Sequence, residues 1–288
     1  MNKIFQIGDF VFRLETPDEV IPPPNFMIFE IEGKEPIYTY RVSLGDSFPE
    51  PVGELAAKRD DLMVYQENEL ESRYIGVKGV PGFYACYQEM GEKEAHITLN
   101  PTRLSSLNID PVFSSLLALE RRQIEFNALI LHCAYVEYNG EAILFSAPSE
   151  TGKTTQANLW EEYKGARTVN GDRSLLQKID DRWIAGGWPV CGTSEICHNE
   201  AIPVRAIVML SQGKENIVNK MAPIRAFGDV YSQVTVNRWN RNASMKAMNL
   251  IEQLVTDVPV WHLSCTISQQ AVQCLYDKLF SEGEERHD

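Results

Sequence analysis

Residues 131–165, LHCAYVEYNGEAILFSAPSETGKTTQANLWEEYKG, restrict the fold more than any other stretch of this chain. Two strand-like runs meet at Asn139-Gly140, a pair suited to a type I′ turn because both central residues must take positive φ. A two-residue turn fixes the register. If Tyr138 pairs with Glu141, then Val136 faces Ile143, Ala134 faces Phe145 and His132 faces Ala147, so His132 comes to lie beside the residue that opens the next loop.

That loop, APSETGKT, matches G-x-x-x-x-G-K-[ST] except that Ala147 stands at the first glycine. The chemistry of such a loop is specific. Gly152 lets backbone N–H groups approach phosphate, Lys153 is a point charge for the β and γ oxygens, and Thr154 offers a hydroxyl to Mg²⁺. The residues expected to form the nucleotide cradle are Ser149, Glu150, Thr151, Gly152, Lys153, Thr154 and Thr155. A helix should follow, with Ala157/Trp160 and Leu159/Tyr163 at helical spacing and Gly165 as its stop. Strand, loop and helix in this order place anion-binding amides at a helix N-terminus.

Farther on, ARTVNGDRSLLQKIDDRWIAGG predicts a short strand ending at Gly171-Asp172 and a hairpin turned at Asp180-Asp181. An acidic residue at the end of the strand after a phosphate-loop helix is placed to bind Mg²⁺, and Asp172 is the candidate.

Residues 1–102 have another texture. FVFRLE, FMIFEIE, IYTYRVSL, LMVYQ, YIGVKG, FYACYQEM and AHITLN read as short strands, separated by turn signals such as IPPPN, EGKEP and MGEKE. An antiparallel β-rich N-terminal domain is expected there. From residue 103 the segment SSLLALERRQIEFNALI has helical periodicity and predicts the first helix of a second domain, 103–288. The end of the chain reads as helix, strand, helix, with a polar tail, SEGEERHD, expected to fray.

With 288 residues and a formal charge of −13, the chain has a composition that argues against a phosphate-backbone binder, so nucleic acid is not an expected partner. No stretch approaches the roughly 18 apolar residues of a membrane helix, and a soluble cytoplasmic protein without a membrane partner is expected. The six cysteines include no C-x-x-C pair and read as free thiols. Cys191, Cys197 and His198 fit no zinc spacing, and His262 reads as structural.

The hairpin with its His, the loop and TVNGDR together resemble the HPr kinase/phosphorylase group, whose nucleotide-binding fold is shared with ATP-dependent phosphoenolpyruvate carboxykinase. The resemblance spans roughly residues 128 to 280. It implies a P-loop nucleotide-binding domain with ATP and Mg²⁺ as cofactors, so that the α/β (α+β) chain reads as the β-rich region followed by this domain. The N-terminal β region does not resemble the corresponding domain of the HPr kinases. It makes His132, Lys153 and Asp172 the catalytic candidates, and Thr154, Asp172 and Glu195 the metal candidates. The family's paired aspartates appear here as Gly171-Asp172, so the residue that would be the base for the attacking hydroxyl is missing. Arg205, Arg225, Arg238 and Arg241 are all candidates for a phosphate-clamping arginine. The expected activity is phosphoryl transfer from Mg-ATP to a hydroxyl of a small molecule, peptide or protein. Two alternatives stay open: a nucleotide-binding or partner-binding protein that has lost transfer, and carboxykinase-like chemistry. Whether the chain forms a homo-oligomer is also open.

Overall fold

The computed structural model describes residues 1–280, and the tail SEGEERHD lies outside the described residues. The chain divides into two compact units, Met1–Arg122 and Gln123–Asp288.

The first unit is built on a nine-stranded sheet. Its strands are β1 (Asn2–Ile7), β2 (Phe10–Glu15), β3 (Glu30–Ile31), β4 (Tyr38–Leu44), β5 (Glu54–Arg59), β6 (Leu62–Glu67), β7 (Leu70–Val77), β8 (Val80–Glu89) and β9 (Glu94–Leu99), in the order β3-β1-β2-β4-β9-β8-β7-β6-β5. The expected antiparallel domain is corrected here. β5 to β9 form an antiparallel meander, but β2 pairs with β4, and β4 with β9, in parallel. Parallel neighbours need a crossover rather than a tight turn, and the 16–37 segment supplies one. That crossover also corrects FMIFEIE, which divides into a short helix, α1 (Pro24–Met27), and β3.

The residues after β9 stay with this unit. A 3-10 stretch (Pro101–Asn108) leads into α2 (Asp110–Leu116), where Phe113 packs edge-on to Phe26 with ring centroids 4.8 Å apart and the Val112 carbonyl accepts the Tyr84 hydroxyl. The single helix expected over SSLLALERRQIEFNALI is two. Ala118 adopts φ +45 and separates α2 from α3 (Leu119–Glu125), and the final ALI begins the next strand.

Arg121 and Arg122 explain why the segment as far as Arg122 belongs to the first unit. Both are buried against the sheet with Glu71, Arg73 and Glu89, and Glu120 completes a set of three arginines and three glutamates. Buried charge persists only when it is paired and hydrogen-bonded.

The second unit carries β10 (Ala128–Tyr138), β11 (Glu141–Ser146), α4 (Lys153–Lys164), β12 (Arg167–Asn170), β13 (Arg173–Ile179), β14 (Arg182–Gly186), β15 (Ile202–Gln212), β16 (Ile217–Lys220), α5 (Pro223–Gln233), α6 (Arg241–Asp257), β17 (Val260–Cys265) and α7 (Gln269–Phe280). β11, β15 and β17 lie parallel to one another, in sequence across the sheet. The sheet has an apolar layer on each face. Leu129, Leu131, Cys133 and Tyr135 of β10 join the cluster containing α5 and α6 residues, whereas Ala134 and Val136 join the one containing α4 and α7 residues. Strand side chains alternate between faces with period two, so His132 has the parity of the α4 face.

The Asn139-Gly140 turn has φ of +53 and +77, and the ladder pairs Tyr138 with Glu141, Val136 with Ile143 and Ala134 with Phe145. The ladder ends at Cys133 and Ser146, one residue short of the expected His132–Ala147 pair. Instead the Ser146 hydroxyl donates to the His132 carbonyl at 2.8 Å, while His132 pairs across its other edge with Arg173.

Candidate active site

The loop between β11 and α4 is shaped by two left-handed residues, Glu150 at φ +65 and Gly152 at φ +117. Gly152 is the N-cap of α4, where no side chain caps the first turn and no acidic residue occupies it. The orphan N–H groups and the positive end of the helix dipole are left for an anion. At the other end, Gly165 at φ +67 donates to the Glu161 carbonyl and stops the helix as expected. Ala157, Leu159 and Trp160 bury the inner face, but Tyr163, expected on that face, is 38% exposed.

Lys153 is buried, and its ammonium donates to the carbonyls of Ala147 (3.1 Å) and Pro148 (3.3 Å). Burial pulls its pKa below the ordinary lysine value, and the negative charge of Asp172 opposes that shift. The ammonium therefore rests on neutral oxygens of its own loop. Such a cation gains strongly from an incoming polyanion.

Asp172 stands at the turn between β12 and β13. Its Oδ1 lies 3.3 Å from His132 Nε2, and its Oδ2 accepts from Arg173 Nε at 3.0 Å. The backbone is pinned as well: the Asn170 side chain accepts from the Asp172 and Arg173 N–H groups, and Cys133 N–H donates to the Asp172 carbonyl. Burial raises the pKa of Asp172, but the hydrogen bond from His132 and the charge of Arg173 outweigh it and hold the carboxyl below its ordinary value. The carboxylate is thus ionised and held between the His132 ring and the Arg173 guanidinium.

Gly171 has a structural cause. A Cβ built on it would lie 1.9 Å from Ser194 Oγ and 2.4 Å from Ser194 Cβ. Ser194 is itself fixed, donating to the Cys191 carbonyl at 2.8 Å and accepting from Ile196 N–H at 3.2 Å. The 3-10 turn Gly192–Ser194 therefore fills the space that a residue 171 side chain would need. Substituting Asp for Gly171 alone is expected to destabilise the chain by about 1–3 kcal/mol through overpacking, and adding Ser194→Gly should recover most of that loss. A thermal melt of Gly171→Asp that coincides with the wild type would refute the closure.

Of the other candidates, Thr154 and Thr155 sit half-buried in the first turn of α4, and Ser149 and Glu150 are exposed on the loop. Glu195 is exposed in a left-handed conformation after the 3-10 turn and makes no hydrogen bond or ion pair among the described residues. No group of three or more His, Cys, Asp or Glu side chains that could hold a metal occurs among the described residues. The donors suited to Mg²⁺ are the Thr154 hydroxyl and the ionised Asp172. Mg²⁺ bound this way takes one or two protein oxygens and completes its shell with phosphate and water, so these residues fit a metal that arrives with its nucleotide.

A cavity of about 450 Å³ adjoins the loop. Glu150, Thr151, Gly152, Thr155 and Gln156 line one side, and Gln212, Gly213, Cys265, Thr266 and Ile267, at and beyond the carboxyl ends of β15 and β17, line the other. Ligands of open α/β sheets bind at such strand ends. Arg173 and Ser194 were not singled out in the sequence. No local sequence signal pairs Arg173 with His132, because β10 and β13 are distant in the chain, and none marks Ser194.

None of the six cysteines is joined in a disulfide, and His262 bonds Ser211 across β15 and β17 at 3.0 Å. No helix among the described residues is long and apolar enough to cross a membrane. No family model matches the chain, and no curated protein matches it. Among solved structures it is similar to the Hpr(Ser) kinase/phosphatase from Coxiella burnetii, with 10% sequence identity over 54% of this chain and 95% of that one and a TM-score of 0.32.

Proposed function

We infer that the second unit binds Mg-ATP and transfers its γ-phosphoryl group to an acceptor hydroxyl. The observation that carries this reading is Lys153, a buried ammonium resting on the Ala147 and Pro148 carbonyls at the uncapped start of α4. In this reading the amides of residues 150–154 and the Lys153 ammonium bind the β and γ phosphates, while Thr154 and Asp172 hold the metal. A Mg²⁺ ion held by these two residues would supply charge neutralisation for the transferred group. Phosphoryl transfer depends mainly on positioning and electrostatic stabilisation, which lets a site without a carboxylate at 171 still function. His132, whose Nε2 lies 3.3 Å from Asp172 Oδ1, orients the acceptor hydroxyl.

A second reading, nucleotide binding without transfer, is favoured by the closure of position 171 by Ser194. Two measurements separate the two. Calorimetric titration of Mg-ATP into the wild type should give saturable binding, and a folded sample that binds none would sink both. Single-turnover release of phosphate from ATP should then be measured in Gly171→Asp/Ser194→Gly. Faster turnover than wild type marks a weakened catalyst, and zero turnover in both supports a binding protein.

A further inference from the structure

Four arginines were candidates for meeting a substrate anion, and the structure separates them. Arg205 lies 3.5 Å from Glu141, donates to the Leu279 carbonyl and stacks on Phe280. Arg225 is paired with Asp229, one helical turn on. Arg238 and Arg241 are exposed and pair with no carboxylate among the described residues, although the chain carries a net charge of −13. Arg238 has only a cation–π contact, 5.5 Å from the Tyr231 ring centroid.

Both lie on or next to the connection between α5 and α6, which is anchored beside the candidate site. Val234 bridges Leu131, the residue before His132, and Thr235 N–H donates to the Ile130 carbonyl. The Thr235 hydroxyl accepts from Arg173, which also holds Asp172. Beyond the connection, Arg241, Met245 and Met248 follow at i, i+4 and i+7 on one face of α6, with Met245 50% and Met248 38% exposed. Glu252 closes the face one turn later. Arg241 also occupies the first turn of α6, which has no acidic residue to offset the positive helix end.

We propose that this surface, Arg173 to Arg238, Arg241, Met245 and Met248, binds the acceptor as an acidic peptide segment with apolar side chains, delivering its hydroxyl residue to His132. The proposal rests on the phosphotransfer reading for the reaction, but not for the binding. Unpaired arginines in an acidic chain complement negative charge and steer its approach. Exposed methionines adapt to apolar side chains of varied shape. Arg241 to Met248 alone extends about 10 Å along the helix, and the connection adds to it. A small anion needs no such length, and a peptide does.

The test uses the full chain without nucleotide and a fluorescein-labelled synthetic peptide carrying one Ser, several Glu and two Leu. A second peptide has Lys at each Glu, and citrate serves as a small-anion competitor. Fluorescence anisotropy should show binding of the acidic peptide only, weakened by added salt. Arg238→Glu/Arg241→Glu should weaken it about ten-fold or more, and Met245→Ser/Met248→Ser several-fold. All four side chains are exposed, so circular dichroism should report an unchanged fold.

Unchanged binding in the arginine variant, equal binding of the Lys peptide, or no binding of either peptide would overturn the proposal. So would displacement by citrate at concentrations equal to the peptide, which would assign a small-anion site. Sedimentation completes the set: self-association of the wild type that the arginine variant abolishes would assign the face to a second copy of this chain. The two readings fail separately. A wild type that binds the peptide but not Mg-ATP loses phosphotransfer and keeps this surface, whereas one that binds Mg-ATP but not the peptide loses only the surface.

Discussion

Lys153→Met is expected to weaken Mg-ATP binding about 10- to 100-fold, because the lost interaction is a charged hydrogen bond worth about 1.5–3 kcal/mol. Methionine keeps most of the apolar stem and removes the charge. The ammonium now spends its donors on Ala147 and Pro148, two neutral carbonyls that it can exchange for phosphate oxygens. Burial pulls its pKa down and Asp172 opposes that shift; a bound polyanion would oppose it further. The loop itself should survive the substitution, since Gly152 and Glu150 set its path through backbone conformation. Calorimetry at constant ionic strength checks the affinity and a thermal melt checks the fold. Equal binding by wild type and Lys153→Met would remove the loop from any nucleotide function.

Glu89→Ala should produce the largest loss of stability, about 3–5 kcal/mol, the range found when one partner of a buried charge set is removed. The Glu89 carboxylate is fully buried and accepts from Arg121, Arg122, the Tyr87 hydroxyl and the Glu71 backbone N–H. Its loss leaves three arginines facing two glutamates, without the oxygens that accepted their hydrogen bonds. Thermal unfolding followed by calorimetry should show the transition of the first unit displaced downward by on the order of ten degrees or more. That of the second unit, which has its own two apolar layers, should move little. Displacement of both transitions by the same amount would mean that the units unfold as one.

Local signals account for what was legible in the second unit. The Asn139-Gly140 turn needs two residues that tolerate positive φ, and the chain has them there. A two-residue turn then dictates each pair down to Cys133 and Ser146. Gly152 and Gly165 bracket α4 for the same reason. In the first unit the alternation of apolar and polar residues identified strands, but it says nothing of neighbours. Parallel pairing of β2 with β4 and β4 with β9 is a choice among distant partners of similar pattern.

His132, Lys153 and Asp172 could be named from short-range patterns, because each belongs to an element whose position a turn or a loop determines by itself. What surrounds them could not. Ser194 closes the space over Gly171 from a segment more than twenty residues away, and the register of His132 with Arg173 joins strands separated by the whole loop and α4. The helical periodicity of residues 114–130 likewise did not show the break at Ala118, nor that Arg121 and Arg122, buried with Glu71 and Glu89, tie its first part to the first unit. The sequence alone determined the Asn139-Gly140 turn, the glycines that bracket α4 and the period of β10, β11 and α4, since these depend on φ preference and on which face is apolar. Only the tertiary structure decided which charges meet and which volume is filled, since a buried ion pair and a steric closure join residues that no local period connects.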